Sequence, residues 1–233
     1  MIAAHWRNAA SSIGEDKADV FYEPSQPHGL KRDPFKALVV PRPIGWISTV
    51  NATGVANLSP FSFFNAISAS PPMVAFAANG RHAEGGPKDT LQNVMDTGEF
   101  VVNLATWDLR EAVNRSSVAA PRAVDEFDLV GLEKLPSRLV RPPRVAASPV
   151  HLECRLLQIV PLPADPVTGE PNTLTIGSVV GVHIADAVLR DGRVDTAALA
   201  PIARLGYMDY AVVRDTFAMQ RPTWPFIAEE TPK

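Results

Sequence analysis

Two cations beside a predicted helix start form the part of the sequence best suited to chemistry. A loop with three glycines carries Arg81 and Lys88 and leads into a predicted helix that begins Asp89-Thr90. The free amide N–H groups at a helix start and the helix dipole attract anions, so cations placed there favour a phosphate-binding site. Asp89 and Gln92 also fit a capping box, in which the Gln side chain bonds back to the capping residue.

Two other interpretations apply to this loop. A Walker A loop fails on spacing, because the position of its lysine holds Gly86, and Lys88 is followed by Asp89 instead of Ser or Thr. A solvated, charged loop without a ligand remains open. The phosphate interpretation gains support from the stretch that precedes the loop in the chain.

That preceding stretch combines a hairpin with a polar and aromatic run. Residues 44–50 favour a strand, residues 51–54 form an Asn-Ala-Thr-Gly turn, and the chain then returns toward Leu58. Between Ser59 and Asn65, hydroxyls and an amide stand beside three phenylalanines, and Pro60 should interrupt ordinary strand pairing. Such a surface suits a flat ligand with polar edges. The alternative is that the aromatic residues are core and the hydroxyls only cap turns.

A histidine late in the chain is a weaker candidate. Residues 173–184 are predicted to form a strand, on which His183 shares a face with Gly181 and Val179 by alternation. Glycines within a strand suggest that something approaches the backbone closely. A lone strand histidine is usually structural, so the residue chemistry alone favours that interpretation.

Several other reactive side chains are better explained as structural or solvated. Nothing in the sequence fixes the carboxylates of Asp125, Glu126 and Asp128 on one face, so we interpret residues 119–143 as a solvated, proline-broken loop. Cys154 alternates with apolar residues and is predicted to be a buried strand residue, not a reactive thiol.

Short helices and longer strands are predicted around these residues. Helices are predicted to begin at Asp33-Pro34 and to span residues 89–96, 107–115 and 196–203, with Gly98 ending the second of them. Strands are predicted over residues 72–78, 100–104, 149–161 and 173–184.

The bulk composition excludes several classes of function. A net charge of −3 without a basic stripe argues against nucleic-acid binding. A single cysteine excludes an internal disulfide and any multi-thiolate metal site, and the five histidines show no zinc-ligand spacing. Without a signal peptide or a membrane-spanning apolar run, the chain is expected to be cytoplasmic and to have no membrane partner. No Gly-x-Gly-x-x-Gly fingerprint is present, so any nicotinamide cofactor should bind transiently as a substrate.

Four ordered motifs together resemble one known family. They are Pro41-Arg-Pro-Ile-Gly-Trp-Ile-Ser-Thr, Asn57-Leu-Ser-Pro-Phe-Ser-Phe-Phe-Asn, Lys88-Asp-Thr-Leu-Gln-Asn and Thr97-Gly-Glu-Phe-Val-Val-Asn. In these motifs the chain resembles the flavin reductase-like, FMN-binding split-barrel family, which includes flavoredoxin-type proteins. The resemblance runs from about Phe21 to Pro222 and implies a mainly β fold, a split β-barrel of Greek-key type with peripheral helices. It also implies a single domain over residues 21–233, after an N-terminal extension of residues 1–20.

The resemblance implies an FMN-dependent oxidoreductase. In such an enzyme a reduced nicotinamide, NADH or NADPH, gives hydride to bound flavin, and the flavin passes electrons to an acceptor; FAD is the alternative flavin. His183 is implied near the flavin ring as the candidate catalytic residue. The cofactor-binding residues that the resemblance implies form three groups. The phosphate site comprises Arg81, Lys88, Asp89 and Thr90. The residues along the ring edge are Trp46, Ile47, Ser48 and Thr49, and the polar rim with its aromatic wall comprises Ser62, Phe63, Phe64 and Asn65.

The family comparison also implies a homodimer, because relatives bind flavin at a two-fold interface. Two alternative functions stay open: an FMN-binding electron carrier without efficient NAD(P)H oxidation, and a split-barrel FMN oxidase of a small organic substrate. For the oxidase, residues 119–143 are the segment that would select the substrate. Relatives often carry a second glycine after Gly206, where this chain has Tyr207, so the local cavity should differ in shape.

Overall fold

Short helices surround a strand-rich body in the computed structural model, which describes residues 19–224. The strands are β1 Arg42–Pro43, β2 Gly45–Val50, β3 Ala56–Phe61, β4 Phe64–Ala69, β5 Pro72–Asn79, β6 Glu99–Leu104, β7 Lys134–Leu135, β8 Arg144–Val145, β9 Val150–Leu162, β10 Asn172–Ile184, β11 Leu189–Arg190, β12 Arg193–Val194, β13 Ile202–Arg204 and β14 Tyr210–Val212. The helices are α1 Phe35–Leu38, α2 Asp89–Thr97, α3 Arg110–Arg115, α4 Glu126–Val130 and α5 Thr196–Leu199, with a 3₁₀ turn at Asp186–Val188. None of the helices within residues 19–224 has the length and apolar character needed to cross a bilayer.

One antiparallel sheet dominates the fold. Its seven strands lie in the order β3-β2-β6-β9-β10-β5-β4. The strands β3 and β4 occupy opposite edges, yet only Ser62 and Phe63 separate them in the chain. The sheet must therefore curve back on itself across this short step, where the Ala77 N–H donates to the Phe63 carbonyl at 2.8 Å. The result is a barrel with an open seam between β3 and β4.

Two apolar clusters lie on the two faces of this sheet. Alternation along β2 places Trp46 in one cluster and Ile47 in the other. The cluster with Trp46 also packs the helices α3 and α4 through Val113 and Phe127, whereas the cluster with Ile47 fills the barrel interior under α2. Cys154 is fully buried in the interior cluster, as predicted, and burial raises the pKa of its thiol well above the ordinary range.

Most predicted strands are confirmed. The hairpin β2–β3 turns through Asn51, whose side chain accepts hydrogen bonds from the N–H groups of Thr53 and Val55. Pro60 does not interrupt pairing, contrary to the prediction, because β3 is an edge strand and Pro60 lies opposite Trp46 within the ladder. No strand of residues 19–224 pairs with the other side of β3, where a missing N–H costs no ladder bond.

Three helix predictions need correction. The helix predicted from residue 107 begins only at Arg110, and the helix predicted over 196–203 ends at Leu199. Pro201 disfavours helical geometry at the residue before it, so Ala200 takes a left-handed φ of 42° and β13 follows. The helix predicted from Asp33-Pro34 is the single turn α1, where Asp33 Oδ1 accepts from the Phe35 N–H at 2.9 Å.

The segment 119–143 is not a simple solvated loop. It contains α4, and its residues Glu126 and Phe127 are buried against β3 and the Trp46 cluster. Asp125 caps α4 and, with the exposed Asp128, forms an ion pair with Lys134. Of the three carboxylates that were predicted to be solvated, Glu126 is the one whose residue is buried. Of the predicted N-terminal extension, residues 1–18 lie outside the described part of the chain, as do residues 225–233 of the predicted domain.

Candidate functional site

A cleft runs along the open edge of β3 to the start of α2. It consists of two adjoining pockets of about 120 and 240 Å³, which share the lining residues Ser59, Lys88 and Ser117. Arg81 lines the first pocket, and Phe63 lines the second. The structure therefore brings the cationic loop and the polar, aromatic run of β3 to one surface.

Lys88 lies at the junction of the two pockets. It is the N-cap residue of α2, and its side chain is partly buried. Burial lowers the pKa of its ammonium group, and no charged or hydrogen-bonding group among residues 19–224 opposes that shift. A cation held in this position is stabilised when an anion enters the cleft.

Arg81 provides a second positive charge at the same end of the cleft. Its Nη1 lies 3.6 Å from Oε1 of Glu170, and the side chains are 51% and 41% exposed. A solvated ion pair of this kind contributes little stability, so Arg81 is free to reorient toward a bound anion.

The carboxylate of Asp89 is already neutralised by neighbouring side chains. Its two oxygens face Arg122 and, at 3.4 Å, Nε2 of His82. The predicted capping box is wrong, since Lys88 is the N-cap residue and Gln92 donates to Asp96 at 2.9 Å instead. Within residues 19–224 no side chain caps α2, so the backbone N–H groups of its first turn, which begins at the cleft, keep their capacity to donate.

A buried polar network supports the floor of the cleft beneath Thr90. The Thr90 hydroxyl is 1% exposed and donates to Asn57 Oδ1 at 2.7 Å. Asn57 Nδ2 and the Leu58 N–H both donate to Glu126 Oε2, at 2.9 and 3.0 Å. Burial raises the pKa of Glu126 despite these hydrogen bonds. The network fixes β3 against α2 and α4, and it commits the Thr90 hydroxyl to Asn57.

Four predicted ring-edge residues lie behind the cleft wall, not on it. Trp46, Ile47, Ser48 and Thr49 are all 0% exposed. Their strand β2 pairs with β3 on one side and β6 on the other, so most of its backbone donors are also occupied. Trp46 Nε1, for example, donates to Ser116 Oγ at 2.9 Å. The expectation that these residues contact the edge of a ligand is therefore corrected: they position β3 from the core.

The predicted rim residues divide into two pairs. Ser62 and Phe63 line the cleft, and the Phe63 ring lies 5.9 Å from the guanidinium of the buried Arg42. Phe64 instead packs directly over the Cα of Gly45, where a Cβ would come within 2.6 Å of its ring. Asn65 is exposed and accepts the N–H of Ala66 at 2.9 Å, and it does not line the cleft.

His183 lies on a different part of the sheet. A bulge between Val179 and Gly181 places these two residues on opposite faces, so the predicted alternation of His183 with Val179 is wrong. Nε2 of His183 lies 2.5 Å from Oε1 of Glu153, which is fully buried. Burial would raise the pKa of Glu153, but hydrogen bonds from the Arg138 N–H, His183 and the Leu139 N–H lower it. His183 does not line the cleft of its own chain.

Sequence reasoning missed part of this site. Ser59 lies in the quoted motif, and a small polar residue on an edge strand indicates contact with a ligand or solvent, whereas Asn57 of the same motif is buried in the polar network. Glu126 and Ser117 carry no local signal, because their positions depend on contacts with β3 that are distant in sequence.

Comparisons with known proteins agree with this architecture. The family model of the flavin reductase like domain matches residues 37–209. An uncharacterized protein of Halalkalibacterium halodurans is 40% identical over 186 residues, which cover 79% of this chain and 88% of that protein.

Solved structures show the same fold. Nitrilotriacetate monooxygenase component B from Bacillus cereus superposes with a TM-score of 0.78 at 29% identity, covering 88% of this chain and 100% of that one. A protein of Shewanella frigidimarina with a split barrel domain gives a TM-score of 0.69 at 24% identity, covering 81% and 90%. The predicted fold class, a mainly β split barrel with peripheral helices, is confirmed. The match to the family model over most of the chain shows that this protein belongs to the flavin reductase-like domain family.

Proposed function

We propose that this chain is an FMN-dependent oxidoreductase in which NADH or NADPH reduces bound FMN and the electrons pass to a separate acceptor. Its family membership supports flavin-linked redox chemistry. The observation that carries the proposal is the partly buried ammonium of Lys88, which lacks an anionic partner within residues 19–224 and stands where the two halves of the cleft meet. FMN has one phosphate and one flat ring, and the cleft has one cationic end and one aromatic end.

The cationic end fits a phosphate group. Lys88 and Arg81 would supply two positive charges, and the uncapped first turn of α2 would supply backbone N–H donors. Asp89 does not oppose an anion there, because the guanidinium of Arg122 balances its carboxylate. Thr90 would act indirectly, by holding Asn57 and thus the floor of the cleft.

The aromatic end fits the flavin ring. Phe63 would form an apolar wall, and the hydroxyls of Ser59 and Ser62 would offer donors at the edge of the ring, where negative charge develops on reduction. When bound, FMN supplies the capacity to accept hydride and release electrons. The residues of this chain would hold the ring in the cleft.

A catalytic role for His183 requires the proposed homodimer. Its imidazole is 18% exposed and paired with Glu153, away from the cleft of the same chain. In a two-fold assembly it would face the cleft of the second copy. Light scattering tests this directly, because a monomer at micromolar concentration would remove His183 from the mechanism.

The acceptor is a separate proposal. The Bacillus cereus relative is named as a component of a monooxygenase, so a second protein that consumes the electrons is the acceptor that we propose first. A small organic acceptor entering beside residues 119–120, which line the cleft, is the second candidate.

An anaerobic titration of the FMN-loaded protein tests the proposal. Flavin absorbance that bleaches on addition of NADH or NADPH supports a reductase. Bleaching by dithionite alone would assign the chain as an electron carrier, and reduction by an organic substrate alone would assign it as an oxidase. Titration with FMN and FAD in parallel determines which flavin binds, and failure to bind either would refute the proposed site.

A further inference from the structure

A second cavity lies beside α3. It has a volume of about 350 Å³ and shares no lining residue with the cleft. Trp107 and α3 form one wall, and the strands β13 and β14 with the turn between them form the other. The proposed function makes no use of it.

The walls of this cavity are apolar and aromatic. Ile202 forms the buried base, while Trp107, Tyr210 and Met208 are 39%, 41% and 79% exposed. Aromatic side chains that remain this accessible around a concave surface are typical of a site that binds a small, partly apolar ligand.

Two arginines, Arg110 and Arg204, line the same cavity, and a third, Arg214, stacks on its Trp107 wall. Arg110 and Arg214 lie over the Trp107 ring at 4.2 and 4.9 Å from its centroid, and Arg204 lies over the Tyr210 ring at 4.4 Å. Stacking on a ring fixes the plane of a guanidinium but leaves most of its edge N–H donors available. Stacking therefore holds these cations in place, and within residues 19–224 Arg110 alone among the three has a carboxylate within 4 Å.

Negative charge is scarce among the described residues that line the cavity. Among the described residues that line it, the single carboxylate is that of Glu111, which is 78% exposed and lies 3.7 Å from Nε of Arg110. A two-fold interface centred here would place guanidinium groups against guanidinium groups, which opposes a second copy as the occupant.

We propose that this cavity binds a small aromatic carboxylate. The ring of such a ligand would lie against Tyr210 and Met208, and its carboxylate would accept paired N–H donors from Arg204, with the positive charge of Arg110 beside it. The combination of an apolar wall with excess guanidinium groups selects for a compact anion with an apolar body. It selects against neutral aromatic molecules and against small anions such as acetate.

Calorimetric titration of the full chain with benzoate tests this assignment, with benzamide and acetate as comparison ligands. We expect saturable binding of benzoate and at least about tenfold weaker binding of benzamide, because the amide loses the charge-assisted contact. Equal binding of the two, or no binding of benzoate, would overturn the proposal. Displacement of benzoate by FMN would also overturn it, since that result would place benzoate in the cleft.

Variants locate the binding site. Arg204→Gln should weaken benzoate binding about tenfold, whereas Arg193→Gln, the same change at an exposed position on β12, should leave it unaltered. Arg204 also donates to the Tyr207 carbonyl, so thermal unfolding must confirm that the variant folds. Arg110→Gln is the second test if it does not. Unchanged benzoate affinity in a folded variant of either kind would refute the site.

Discussion

Replacing Lys88 by methionine separates ligand binding from folding. Methionine keeps the length and the apolar stem of lysine but removes the charge. If Lys88 binds the phosphate of FMN, the variant should lose affinity for FMN and keep its affinity for riboflavin, which has the same ring without the phosphate. The comparison of the two ligands isolates one contact within one protein.

The size of the effect follows from the contact that is removed. A hydrogen bond between an ammonium group and a phosphate is worth about 1.5–3 kcal/mol, which corresponds to roughly 10- to 150-fold in Kd. The upper end is expected if the burial that lowers the pKa of Lys88 persists in the complex, because the bound anion then interacts across less water. Lys31→Met, at an exposed position outside the cleft, is the matched control.

In the flavin-free protein the same substitution should have a favourable effect, because it should raise the free energy of unfolding. Since burial disfavours the charged form of Lys88, the unfolded chain binds more protons than the folded chain between the lowered pKa and the ordinary value of 10.5. The free energy of unfolding should therefore rise with pH in that window, and Lys88→Met should be more stable than the parent chain below it. Quenching of flavin fluorescence measures the affinities, and urea denaturation measures the stabilities. Equal losses for FMN and riboflavin, or no loss for either, would refute the phosphate assignment.

Four further substitutions test the supporting structure by urea denaturation. Burial raises the pKa of Glu126, so the stability of the parent should fall as pH rises above 4.5 toward that raised pKa, and Glu126→Gln should flatten this dependence. Glu153 has a lowered pKa despite its burial, so its contribution to stability should be present above pH 4.5 and lost as pH falls through the lowered pKa. Glu153→Gln should therefore lower the free energy of unfolding by about 2 kcal/mol near neutral pH. An unchanged free energy of unfolding would contradict the hydrogen bonds assigned to Glu153. Gly177→Ala should destabilise by about 1–3 kcal/mol, because its Cβ would collide with the Phe100 ring. Gly181→Ala on the same strand, whose Cβ would lie 3.3 Å from its nearest neighbour, should cost less, and a larger cost at this position would contradict the packing.

Local sequence patterns predicted the elements of the barrel well. The Asn-Ala-Thr-Gly turn carries its own geometry, since Gly54 adopts a φ of 90° and Asn51 bonds the turn backbone. The alternation around Cys154 likewise encodes a buried strand face. Each of these signals depends on residues within a few positions of one another, which is the range over which a sequence pattern can be interpreted.

The errors share a different physical origin. Trp46 was assigned to a ligand although its indole N–H is satisfied by Ser116, 70 positions away in the chain. Glu126 was assigned to solvent although its carboxylate accepts from Leu58, 68 positions away. The face of His183 changed because a bulge inserts one residue into β10. A short window of sequence contains no signal for long-range hydrogen bonds or register shifts. Within such a window, a polar residue that is buried in the core cannot be distinguished from one that contacts a ligand.

The position of the cleft follows from the way the barrel remains open. A closed barrel would use both edges of every strand, but within the described part of the chain β3 pairs only with β2 and β4 only with β5. The outer edge of β3 at Ser59 therefore keeps backbone groups that need a partner, and an exposed edge of this kind invites pairing with a strand from another chain. Pro60 removes one donor from the edge and so weakens such pairing. A ligand bound along the seam would cover the same edge. The candidate ligand-binding residues therefore lie beside the edge at which the sheet stays open.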